Sequence, residues 1–139
     1  MWLEVELRRP GRADSLIVRA YANGGFRAGE PEIILPLQLA TSMGFDIGRA
    51  ELGEGIACGG THIAMWELGE IEIRVHVPDR EVPWVRAKAV CVEGEYEALL
   101  SRELIGSLGL LLDYGRSRWR LEDDPPGLYR DEAEPQYWR

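Results

Sequence analysis

The sequence predicts an all-β domain with two short helices, built from two similar halves. Three observations predict it: short stretches that alternate apolar and polar residues, matching segments repeated at a nearly constant offset, and glycines set between them as turns. The chain has 139 residues, 45% of them hydrophobic, with 16 Gly and 8 Pro. That length and composition suit one compact core.

Alternation marks strands over Leu3 to Leu7, Leu16 to Ala22, Ile71 to Val77 and Val85 to Val92. In the third, Ile71, Ile73, Val75 and Val77 hold one face while Glu72, Arg74 and His76 hold the other, the pattern of a half-buried antiparallel strand. Pro36 opens a helical segment, with Leu37, Leu39, Ala40 and Met43 along it, that Gly44 closes; Ser101 to Ser107 is a second, closed by Gly109. Proline at the first turn and glycine just past the last are the expected helix boundaries. Between the halves, Gly53, Gly55, Gly59, Gly60 and Gly69 punctuate a hairpin across residues 52–77. Residues 1–121 form the predicted domain. Residues 122–139 begin Glu122-Asp123-Asp124-Pro125-Pro126-Gly127 and end in a polar, aromatic run, so they are expected to be mobile or laid against another surface.

The repeat is the most informative feature. Val18-Arg19-Ala20-Tyr21-Ala22 recurs as Val85-Arg86-Ala87-Lys88-Ala89. The segment from Glu32 to Phe45 recurs from Glu97 to Leu110, and Asp46-Ile47-Gly48-Arg49 recurs as Asp113-Tyr114-Gly115-Arg116. Three matches in the same order predict two halves related by an approximate twofold, each reading strand, loop, strand, short helix, Gly, turn, strand.

There are 24 acidic against 16 basic side chains, a net charge of -8. That balance repels phosphate backbones and anionic lipid, and no stretch supplies a local basic patch, so neither nucleic acid nor membrane is an expected partner. No apolar run approaches the roughly 18–20 residues that span a bilayer, and charge begins at Glu4; a soluble, cytoplasmic chain is expected. Cys58 and Cys91 read as free thiols.

In order, these segments resemble the single-domain, retropepsin-like aspartic proteases and their bacterial and archaeal relatives. The strand Ile17 to Ala22 leads into Asn23-Gly24-Gly25-Phe26; Ile34-Leu35-Pro36-Leu37 opens a helix ending at Met43-Gly44-Phe45; Leu99-Leu100-Ser101-Arg102 and Leu108-Gly109-Leu110 look like the second-half motif and closing strand. The resemblance covers roughly residues 3–121. It implies a closed β-barrel of two pseudo-twofold halves with a flap hairpin, and places the family's Asp-Thr-Gly at Asn23, Gly24 and Gly25. It also implies peptide contacts from Phe26 and from the hairpin residues Cys58, Gly59, Gly60 and Thr61.

Two departures bear on function: Asn23 stands at the acid position, and Ser101 replaces the glycine of the second motif. Aspartic proteolysis needs two carboxylates sharing a proton over one water, one from each chain of a homodimer in this family. A carboxamide cannot titrate near neutral pH and cannot be the base. The expectation is therefore a catalytically inactive, dimeric, pseudoprotease-like domain whose cleft binds an extended peptide or protein segment, paired as an added strand. Two rival readings are an active endopeptidase whose Asn23 is a substitution or awaits conversion to Asp, and a structural dimerisation module.

Other constellations are weaker. Asp46 and Asp113 each precede a Gly by two residues, and Asp14 precedes a strand; all three read as turn or cap residues. Cys58, His62, His76 and Cys91 lack metal-ligand spacing, and nothing orients the imidazole of a Cys58–His62 pair, so no metal or cofactor is expected. The five tryptophans are too scattered for a stacking stripe and read as packing residues.

Overall fold

The computed structural model describes residues 1–56, 60 and 62–139. Among the described residues, ten strands and two short helices follow one another. The first half holds β1 (Trp2–Arg8), β2 (Leu16–Ala22), β3 (Glu32–Ile34), α1 (Leu37–Ser42) and β4 (Glu51–Ile56). Then come β5 (His62–Val75), β6 (Val85–Val92), β7 (Leu99–Leu100), α2 (Arg102–Ser107), β8 (Leu110–Asp113), β9 (Arg118–Leu121) and β10 (Arg130–Asp131).

Six strands close a barrel in the order β1-β2-β7-β3-β6-β5, with β5 returning to pair with β1, and β4 hangs on the outer arm of β5. The class is all-β, as the alternation predicts. In β1, Leu3, Val5 and Leu7 are buried inside, while Glu6 and Arg8 reach across the outer face to Arg74 at 2.8 Å and Glu72 at 3.1 Å. β5 is longer than the alternation alone marks, because its first arm pairs with β4 beyond the barrel wall and only its second arm alternates cleanly. The register with β6 shifts between Glu67 and Gly69, and Gly69 takes φ +104° there; such a bulge lets one strand bend from hairpin arm to barrel stave. The ladder ends at Val75 rather than Val77, although His76 N–H still donates to Glu4 O at 3.0 Å.

The internal repeat is visible in the pairing. β2 lies parallel to β7 and β6 lies parallel to β3, so each half lends a short strand to the other; β3 and β7 meet antiparallel between them, Ile33 opposite Leu100. The two helices fall at equivalent places, as do two 3₁₀ turns, Ile47–Arg49 and Tyr114–Arg116. Gly44 (φ +87°) and Gly109 (φ +68°) follow the two helix ends in the left-handed conformation that L side chains resist.

Residues past Leu121 run back over the body. β8, β9 and β10 form a second, three-stranded sheet. Beyond it Ala133 N–H donates to Trp2 O at 2.9 Å, Trp2 N–H donates to the Glu132 carboxylate at 2.9 Å, and Trp138 N–H donates to Tyr96 O at 2.9 Å. Among the described residues no helix is long and apolar enough to cross a membrane.

Candidate functional site

The Asn23 turn sits where the two halves interlock. As β2 ends, the chain passes over β7 before re-entering the sheet as β3, and the crossing loop is bonded on both sides by the second half. Asn23 N–H donates to Leu100 O at 3.2 Å, and Arg102 N–H donates to Phe26 O at 2.8 Å. Within the loop, Phe26 N–H donates to Asn23 O at 3.0 Å and Gly25 N–H donates to Asn23 Oδ1 at 3.0 Å. The carboxamide therefore closes an Asx turn on its own backbone. Asn23 and Phe26 are half-buried and Gly24 and Gly25 are exposed, so the turn presents backbone and one amide to solvent.

Three neighbours frame this loop that sequence reasoning did not assign to it. Tyr114 Oη donates to Ala22 O at 3.3 Å and lies 3.8 Å from where a Cβ on Gly24 would stand. The Glu103 carboxylate accepts from Ala28 N–H at 3.0 Å, and that backbone bond is the chief cause holding its carboxyl below the ordinary value. Ser101, fully buried, caps α2 by accepting from Leu104 N–H at 3.1 Å and also accepts from Glu32 N–H at 3.0 Å. A glycine could do neither, so Ser101 has a structural role of its own at this position. The available signals were slight: a serine two residues before an acid at a helix start, and a tyrosine in the repeat of a turn.

Glu32 is the other unusual acid. Only 5% exposed, it sits on β3 opposite Lys88 of β6, and burial pushes its carboxyl up to about 7, against the opposing pull of Lys88. Lys88 is itself bonded to Glu67 at 2.7 Å, and Glu30, Glu67 and Glu103 add negative charge around Glu32.

The remaining sequence candidates are placed as follows. Asp46 accepts from Gly48 N–H at 3.0 Å, ordinary turn chemistry, and Asp113 is gripped by Arg118 and Arg116 at 3.2 Å and 3.3 Å. Both are committed to their own turns. Gly60 has φ +82°, while Cys58, Gly59 and Thr61 lie outside the described residues. His62 pairs with Glu54 across the β4–β5 hairpin. Cys91 is buried, and burial raises its thiol above the ordinary value. The tryptophans pack: Trp119 in the core, Trp84 under the guanidinium groups of Arg8 and Arg74, and Trp2 edge-on to Tyr21 and Tyr137.

No protein-family model and no curated protein sequence matches this chain. Among solved structures, it is similar to the retroviral protease-like domain of Ddi1 from Leishmania major, with a TM-score of 0.52 at 10% identity, over 96% of this chain and 95% of that one. At that identity the likeness establishes a shared fold, the retropepsin-like closed barrel.

Proposed function

We propose that this chain is a retropepsin-fold, protease-like protein that binds an extended peptide or protein segment as a homodimer and does not perform aspartic proteolysis. The observation carrying this reading is the Asn23 turn. It stands at the end of β2, bracketed by β7 and α2, and it offers a carboxamide whose oxygen is taken by Gly25 N–H. A carboxamide there neither removes a proton from water nor donates one to a scissile carbonyl in the way a shared carboxyl pair does.

Exposed apolar side chains on and just after β8 support a second copy. Leu111 on β8 and Tyr114 just after it are 50% and 55% exposed, with Tyr114 Oη against the loop. Among the described residues β8 has a strand partner on one side only, β9. A twofold axis past this face would bring two Asn23 turns together and pair an otherwise open edge. The β4–β5 hairpin, standing out from the barrel with β4 unpaired on its far side among the described residues, supports strand-like capture of a peptide.

Sedimentation equilibrium at micromolar concentration tests the assembly: a dimer that Leu111→Glu dissociates is the expected result. A monomer across the whole concentration range overturns the dimeric cleft. Asn23→Asp tests the chemistry: a dimeric variant that gains pepstatin-sensitive cleavage at acid pH, where the parent has none, is the expected difference.

A further inference from the structure

From Ala50 to Ile73 the sequence contains five glutamates and neither lysine nor arginine. The fold turns part of that stretch into an outer edge. β4 pairs with β5 through six consecutive residues without a register break, and among the described residues nothing pairs with its other side. Exposed edges are commonly blunted by lysine, proline or a bulge, and β4 has none of the three. Glu51, Leu52 and Glu54 are exposed along it, Leu52 by 68%.

Charge decides what can lie on this edge. Glu51 stands directly opposite Glu67 across the hairpin, and like charges so placed repel. Glu67 is relieved from β6 by Lys88 at 2.7 Å, while Arg49, the basic residue nearest Glu51 in sequence, is paired with Asp46 at 3.4 Å. Glu54 pairs with His62, an imidazole that carries charge only when protonated. A second copy of this chain is a poor occupant, because pairing β4 with β4 would line four glutamates, Glu51 and Glu54 from each copy, along one seam. An acidic partner meets the same repulsion.

We infer that the β4 edge captures an extended basic segment of a partner protein, added as an antiparallel strand. A lysine or arginine stands opposite Glu51, an apolar residue opposite Leu52, and a second lysine or arginine opposite Glu54. Main-chain hydrogen bonds supply the pairing, and the cations and the apolar neighbour supply the choice of segment. The inference deepens the peptide-binding reading and rests on it, but it needs nothing from the state of Asn23.

Two end-blocked hexapeptides, Thr-Lys-Thr-Val-Lys-Thr and Thr-Glu-Thr-Val-Glu-Thr, test it by titration into isotope-labelled protein with amide shifts followed by NMR. The lysine peptide is expected to bind saturably, one per chain, and to shift the amides of Glu51 to Glu54, with the glutamate peptide about tenfold weaker. Glu51→Lys combined with Glu54→Lys, both at exposed positions, should reverse that order with circular dichroism unchanged. N-methylating every residue of the lysine peptide keeps its charges but removes its main-chain donors, so its binding should be lost. Equal affinity for the two peptides, an order that the double variant leaves unchanged, or retained binding of the N-methylated peptide would each overturn the assignment. Shifts confined to the Asn23 turn would overturn it while leaving the peptide-binding reading standing, and no shift with either peptide would overturn both.

Discussion

Ser101 and Glu32 exchange two hydrogen bonds across the two halves: Glu32 N–H donates to Ser101 Oγ at 3.0 Å and Ser101 N–H donates to Glu32 O at 3.0 Å. The same Oγ accepts from Leu104 N–H and so caps α2. One buried hydroxyl therefore joins β3 to the start of α2, beneath the Asn23 loop.

Ser101→Ala strands two amide donors at once, Glu32 N–H and Leu104 N–H. The expected loss is roughly 2–4 kcal/mol, from a lost cap plus an unpaired buried group. Urea denaturation measures it. A loss under about 0.5 kcal/mol would mean that the donors find other partners.

Glu32 should make stability fall as pH rises. Its carboxyl titrates at about 4.5 when unfolded and about 7 when folded, so between those values the folded state holds the extra proton. The protonated state's advantage is fully present below pH 4.5 and is lost as pH climbs through 7, with an upper bound of about 3 kcal/mol. Glu32→Gln should thus gain stability relative to the parent between pH 5 and 8, read as a widening difference in thermal midpoint. A difference that stays constant with pH would mean that Glu32 ionises as freely folded as unfolded.

Asp124 works in the opposite sense. Its side chain is fully buried and accepts from Arg130 at 3.1 Å and 2.9 Å, from Arg80 at 3.1 Å and from Leu121 N–H at 2.8 Å; the Arg130 bonds lead in lowering its carboxyl to about 2. The stability it confers is present above about pH 3.8 and is lost as pH falls through 2. Asp124→Ala should cost about 3 kcal/mol, the low end for a broken buried pair, since Arg130 keeps Asp79. Amide exchange should then rise at Ala133 and Trp138, whose bonds hold the C-terminal run on the body.

Asn23→Asp should fold better than Asn23→Leu. Asp retains an oxygen for Gly25 N–H, whereas Leu removes the acceptor, a difference of about 1 kcal/mol. Equal thermal midpoints would mean that this bond contributes nothing. The same turn restrains Asn23 from cyclising onto Gly24 N, so peptide mapping of heated protein should show slower deamidation at Asn23 in the folded chain than in urea.

Strand alternation, helix boundaries and the duplication were legible in the sequence because each is local or a comparison of the chain with itself. Leu3, Val5 and Leu7 declare a buried face, Pro36 and Gly44 bound a helix, and the repeated segments announce the two interleaved halves. The strand that leads into Asn23-Gly24-Gly25-Phe26 was likewise readable, and β2 ends at Ala22. Only the tertiary structure decided what surrounds it. Tyr114 and Glu103 reach the loop across 92 and 75 positions of sequence, and Ser101 earns its place through a backbone amide 69 residues distant. Asp124 lies in a run expected to be mobile or laid against another surface, and two arginines and a backbone N–H make it a buried anchor. Alternation and capping act within a few residues, whereas burial, pKa and cavity shape depend on which distant segments the closing barrel brings together.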